Sequence, residues 1–205
     1  MEIIQNLKKA YGDNEPILLN EVNIAGMNKV YIRQVFTRLV KRGRLERFGQ
    51  GVYYIPKMTS LGKSRLSAKK VYEKKYICNE KKVYGFYAGL ILENAIGLTT
   101  QVPNIVEIVT NNEGSRRREV MVGKQKVRLR KSNVKITERN ARILQFLDLM
   151  NRIDLKNMPE ESKDKLKSFV KEKKLKREEV FLYVTKFPSR TAKNMIESGV
   201  INELT

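Results

Sequence analysis

The chain contains no histidine, no tryptophan and a single cysteine, Cys78, in 205 residues. Without histidine there is no Ser-His-Asp or Cys-His triad, no imidazole acid–base catalyst and no His-based zinc site. One cysteine allows neither an intrachain disulfide nor a cysteine-rich metal site, and it suits a reducing compartment. A GxxxxGK[ST] phosphate loop is missing; Gly49-Gln50-Gly51 and the GSRRRE run at Gly114–Glu119 are too short to act as one. Long apolar runs are missing too. Tyr84–Leu98 comes nearest and is broken by Gly85, Gly89, Glu93, Asn94 and Gly97, so no membrane association is expected. Met1–Tyr11 carries Glu2, Lys8 and Lys9 and no apolar stretch, so the expectation is no signal peptide and a cytoplasmic location. Adjacent acids such as Glu160-Glu161 and Glu178-Glu179 diverge on a helix. A carboxylate metal nuclease using Glu107, Glu113 or Glu119 is the catalytic arrangement that composition leaves open. The expectation is otherwise of no enzyme: no catalytic residues, no metal and no cofactor.

What the chain has in excess is positive charge. Lys and Arg number 42 against 22 Asp and Glu, a net of +20, while 41% apolar residues suffice for folded cores. A polyanionic partner is the simplest use for that many uncompensated cations. The excess is uneven, at +5 over residues 1–57, +11 over 58–140 and +4 over 141–205.

A helix over Met1–Ala10 is predicted by Ile3, Ile4 and Leu7, with Tyr11-Gly12 as its stop. Ile17–Pro56 then reads as one unit. A short helix over Leu18–Ile24 and a tight turn at Ala25-Gly26 lead to a longer helix, capped by Asn28 and running to about Arg42. Ile32, Val35, Phe36, Leu39 and Val40 form its apolar stripe, and Gly43 takes the position after its end. The opposite face presents Val30, Arg33, Gln34, Thr37, Arg38 and Lys41, with Asn28 and Lys29 at its start. After a turn and before a ribbon, that is the face of a DNA recognition helix. Arg33 and Gln34 suit guanine and adenine edges, and Arg38 and Lys41 suit phosphates. Arg44–Phe48 and Val52–Ile55 flank Gly49-Gln50-Gly51 as a hairpin wing, where Arg44, Arg47 and Gln50 are placed to touch backbone or minor groove. Pro56 ends the wing.

The phrase LVKRGRLERFGQGVYYIP at Leu39–Pro56, followed by YGFYAGLILENAIGLTTQVPNIVEIVTNN at Tyr84–Asn112, carries a family resemblance. Over about residues 15–135 the chain resembles the AbiEi-type antitoxins, transcriptional regulators of type IV toxin–antitoxin (abortive infection) systems. The resemblance implies an N-terminal winged helix-turn-helix that represses its own operon at inverted repeats in double-stranded DNA. It implies a monomer or weak dimer pairing on DNA, and a remainder that opposes a nucleotidyltransferase-like toxin without a stable complex.

Beyond the wing, helices are predicted over Ser60–Tyr76 and over Tyr84–Ile96, where Gly85, Ala88, Gly89 and Ala95 permit close packing. A strand over Asn104–Asn111 and a hairpin of Glu119–Val122 with Lys126–Arg130 complete a small antiparallel sheet. Arg116, Arg117 and Arg118, with Lys124, Lys126, Arg128, Arg130 and Lys131, make a cationic ribbon. It serves either nucleic-acid contact, which the scarcity of nearby acids favours, or a sheet edge guarded by charge. Thr99-Thr100-Gln101 reads as a ligand-facing loop or, in preference, a structural turn. In the last third, with Ser132 or Thr137 as cap, helices are predicted over Glu138–Arg152, Pro159–Glu172 and Ser189–Ser198; Glu178–Thr185 fits helix or strand.

The expected architecture is α+β. Its segments are a winged helix-turn-helix at 1–57, a basic α+β module at 58–136 and a helical region at 137–205, with 58–205 as one domain the alternative. The expected function is DNA-binding regulation; the alternative is a winged-helix module for protein interaction or RNA binding without operator recognition.

Overall fold

The computed structural model describes residues 2–156 and 158–205, so Met1 of the expected first helix lies outside the described residues. Two compact units emerge, residues 1–74 with 122–124, and residues 75–121 with 125–205. This division differs from the segment limits expected at 57 and 136. The architecture is α+β.

The first unit opens with α1 (Glu2–Tyr11), β1 (Ile17–Leu18) and α2 (Lys29–Lys41). The ribbon strands β2 (Glu46–Gly49) and β3 (Val52–Tyr54) follow. Its sheet has the order β1-β3-β2, with Ile17 opposite Tyr53 and Leu18 opposite Val52. That pairing removes the helix expected over Leu18–Ile24. Leu18 is committed to the sheet, the Leu19 N–H donates to Gly51 O (2.9 Å), and Glu21 N–H closes a turn on Leu18 O (2.9 Å). A helix there would surrender the pairing with β3 and the bond to Gly51, both non-local, and the segment is too short to repay the loss. Ile17, Ile32, Phe36 and Leu45 are fully buried, and Phe36 meets Tyr53 edge to face at 5.1 Å. Each such side chain contributes about 1.5–3 kcal/mol by leaving water.

After Pro56 the expected long helix is divided. Strands β4 (Met58–Thr59) and β5 (Gly62–Lys63) form a hairpin, and α3 spans only Ala68–Tyr76. Gly62, at φ +101°, turns the chain where a helix would have to continue.

In the second unit a small hairpin, β6 (Cys78–Asn79) with β7 (Lys82–Val83), precedes β8 (Gly85–Ala88) and α4 (Leu90–Ala95). The predicted helix over Tyr84–Ile96 is therefore half strand. The small residues serve close approach, but of a strand: a Cβ on Gly85 would sit 1.9 Å from the Tyr76 carbonyl oxygen. Strands β9 (Ile105–Thr110), β10 (Arg117–Val122) and β11 (Gln125–Lys131) complete a sheet of order β10-β11-β9-β8. Strands β8 and β9 are antiparallel, but β9 and β11 are parallel, with Arg128 opposite Glu107. The expected antiparallel sheet is thus mixed, because the β10–β11 hairpin docks by its second strand.

Helix α5 (Ala141–Arg152) covers this sheet, Leu144 packing with Phe86, Ala88 and Val109. Helices α6 (Glu160–Lys173), α7 (Arg177–Val184) and α8 (Ser189–Glu197) follow, and a 3₁₀ turn at Val200–Glu203 closes the chain. With α5 they bury Phe146, Leu147, Met150, Leu166 and Val180 in one cluster. The ambiguous Glu178–Thr185 stretch is helical. Among the described residues no helix is long and apolar enough to cross a membrane.

Candidate nucleic-acid interface

Local bonds fix α2 at both ends. The Asn28 side chain accepts the Tyr31 N–H (2.8 Å), the N-cap that its residue type favours. Lys29 Nζ donates to the carbonyls of Asn20 (2.9 Å) and Val22 (2.8 Å), so its ammonium ties the preceding loop down. These two sequence candidates therefore hold the helix in place. At the far end Gly43, at φ +65°, lets the Arg44 N–H reach Leu39 O and its own N–H reach Val40 O, both at 2.9 Å.

Between these ends the buried Ile32, Val35 and Phe36 set the helix rotation, leaving Val30, Arg33, Gln34, Thr37, Arg38 and Lys41 exposed. No Asp or Glu occurs in α2 or in the Arg42–Leu45 link. Among the described residues, Arg33, Lys41, Arg42 and Arg44 have no ion-pair partner. Thr37 Oγ1 donates back to Arg33 O (2.9 Å). The Arg38 guanidinium lies 5.6 Å from the ring centroid of Tyr31, a residue that is 45% exposed. Tyr31, Gln34, Thr37 and Arg38 line an open depression of about 510 Å³. On the ribbon, Gln50 is exposed at the turn, and Arg47 Nε makes a long bond to Gly49 O (3.4 Å).

A second concavity, of about 740 Å³, runs between α1 and α2. Ile3, Ile4, Val35 and Leu39 form its floor, and Arg38, Arg42 and Arg44 its rim. Tyr31 and Arg42 were not singled out by sequence reasoning. Their signal was spacing: Tyr31 precedes Arg38 by seven residues, two helical turns, so the two share a face.

Arg116, Arg117 and Arg118 belong to the other unit. Arg116 and Arg117 are exposed and without an ion-pair partner among the described residues. Arg118 is committed: its Nε and Nη2 both reach Glu113 Oε2 at 2.9 Å. Burial pushes the Glu113 carboxyl up, but the Ser115 backbone N–H (2.9 Å) and Arg118 outweigh it, holding it below its ordinary value.

The rest of the cationic ribbon is largely neutralised. Hydrogen bonds from Lys126 and Arg128 hold Glu119 down to about 2. Glu107, buried on β9, accepts from Arg130 Nε (2.9 Å) and Arg152 Nη1 (2.8 Å), with Arg128 Nη1 at 3.5 Å. Arg130 also bonds Asp148 at 2.7 Å. Gly89, at φ +66°, passes close enough that a Cβ would come 3.2 Å from the Glu107 carboxyl carbon. The three carboxylates considered for a metal nuclease thus each hold cations of the fold. Among the described residues no group of three or more His, Cys, Asp or Glu is placed to hold a metal. Of the ribbon, Lys124 and Lys131 remain exposed. Thr99 and Gln101 offer their carbonyls to Asn94 Nδ2, both at 3.2 Å, which ties that segment to the end of α4.

Residues 2–179 match DUF6088, a family of unknown function, and the chain belongs to that family. No curated protein matches the chain.

Proposed function

We propose that the chain is a double-stranded-DNA-binding transcriptional regulator that lays α2 in the major groove. The observation that carries this is the exposed Val30–Lys41 face, with arginine, glutamine, threonine and lysine on a helix that contains no acid. The cap at Asn28 and the glycine-turned end at Gly43 make the helix a rigid presenter, as base readout requires. Arg33 and Gln34 read base edges in this proposal. Arg38, Lys41 and Arg44 meet phosphates, and the ribbon with Arg47 and Gln50 flanks the groove. The second helix of a helix-turn-helix is replaced by the Leu19–Glu21 turn, so the reading unit in this proposal is a helix, a turn and a winged ribbon.

The test is an electrophoretic shift of the full chain with duplex DNA from upstream of its own gene and with a shuffled duplex. The upstream DNA is expected to bind more tightly by about 10³-fold or more. Equal affinity for both would leave a non-specific polyanion binder and overturn the regulator.

The likeness of Leu39–Pro56 and Tyr84–Asn112 to AbiEi-type antitoxins extends the proposal. The chain then represses its own promoter at inverted repeats, pairing on DNA from monomers or a weak dimer in the cytoplasm. It counteracts a nucleotidyltransferase-like toxin without forming a stable complex, and has no enzymatic activity of its own. Only the sequence phrases support this extension. Co-expression with a neighbouring nucleotidyltransferase-like gene is expected to restore growth; persistent toxicity would remove the antitoxin role and leave DNA binding standing.

A further inference from the structure

We propose that the groove between α1 and α2 binds an amphipathic organic anion, with a medium-chain carboxylate as its representative chemistry. The volume of about 740 Å³ lies within the range of small-ligand sites, about 300–1,000 Å³. Its two halves ask for different things. Ile3, Ile4, Val35 and Leu39 offer an aliphatic floor that phosphate alone would leave unused. Arg38, Arg42 and Arg44 line the same concavity, and among the described residues no carboxylate lines it. All three arginines are exposed, and a purely apolar ligand would leave them to water and gain nothing from them.

The site is also partly organised in advance. Arg38 is stacked on Tyr31, and the bonds around Gly43 fix the backbone that carries Arg42 and Arg44. Among the described residues, helix α1 contributes Ile3, Ile4 and Gln5, about one turn. Along α2 the lining runs from Tyr31 to Arg42, about three turns, a length that a medium-chain alkyl group can follow. Because Arg38 also belongs to the face proposed for DNA, an occupant and DNA would compete for it. The site itself does not depend on the DNA reading.

The test is isothermal titration of the full chain, without DNA. The probes are dodecanoate, dodecyltrimethylammonium and inorganic phosphate, each below micelle formation. Dodecanoate is expected to saturate one site, and the other two probes are not. Arg42→Ala and Arg44→Ala should each weaken dodecanoate about tenfold, the scale of one charge-assisted contact. Leu39→Asp should abolish binding, and Arg117→Ala in the other unit should leave it unchanged. Equal binding of dodecyltrimethylammonium or phosphate would overturn the proposal, as would equal weakening by Arg117→Ala. An acidic amphipathic peptide that binds where dodecanoate does not would overturn it too, making the groove a protein-docking surface.

Discussion

Helix α2 of the first unit and the β10–β11 ribbon of the second are both rich in arginine, yet their guanidiniums face opposite circumstances. On α2 no carboxylate is within the helix, and Arg33, Lys41, Arg42 and Arg44 stand without an ion-pair partner among the described residues. On the ribbon, Arg118, Arg128 and Arg130 each meet a carboxylate, and Glu107 alone gathers three arginines. A desolvated, paired arginine is part of the fold's internal electrostatics; an unpaired one on a rigid helix is available to a partner. Net charge by segment cannot make this distinction. The segment with the largest positive excess holds Glu107, Glu113 and Glu119, the carboxylates that pair with these arginines, and residues 1–57, at +5, carry the open face.

Breaking the compensated side should have the largest effect. Glu107→Ala would strand Arg128, Arg130 and Arg152 around a buried gap, destabilising the second unit by about 3–5 kcal/mol. Urea denaturation followed by hydrogen exchange should show lost protection in β9 and β11, with α2 unchanged; wild-type stability would show the cluster to be dispensable. A smaller loss is expected on the open side from Asn28→Ala, about 1 kcal/mol. Because this residue caps α2, affinity should fall equally on operator and shuffled DNA. Lost discrimination would make Asn28 a base reader instead.

Within the ribbon the comparison can be sharpened residue by residue. Replacing both Arg116 and Arg117 with alanine is expected to flatten the logarithmic salt slope of DNA binding by roughly 1–2. Arg118→Ala should leave that slope alone while lowering stability, since its partner Glu113 is 6% exposed. An unchanged slope in the double variant would confine DNA contact to the first unit.

The smallest effect concerns pH. The folded Glu119 carboxyl, at about 2, sits below its ordinary 4.5. Its contribution to stability is therefore present above about 4.5 and lost as pH falls toward 2. Glu119→Gln should shrink the difference in melting temperature between pH 7 and pH 3, and an unaltered difference would remove Glu119 from the acid response.

The open face was legible because everything that defines it is local. Asn28 as cap, Gly43 as stop and the Ile32–Val35–Phe36 stripe lie within one helix, and their spacing fixes which side chains point outward. What failed depended on distant partners. Leu18 reads as helical until Val52 pairs with it, and Tyr84–Ile96 reads as one helix until Val109 claims Phe86. The parallel pairing of β9 and β11 follows from docking of a whole hairpin, which local alternation does not encode. The ribbon shows the same limit in charges. Arg130 and Arg152 find Glu107 from 23 and 45 residues away, so a run that looks uncompensated along the chain is compensated in space.

The central claim is that the α2 face reads sequence. Fluorescence anisotropy of the full chain carrying Arg33→Ala and Gln34→Ala, on upstream and shuffled duplexes at fixed salt, tests it most directly. Loss of roughly 1–3 kcal/mol of discrimination per base contact is predicted, with binding to the shuffled duplex nearly retained. An equal loss on both duplexes would contradict it, making these side chains phosphate contacts on a helix that reads nothing.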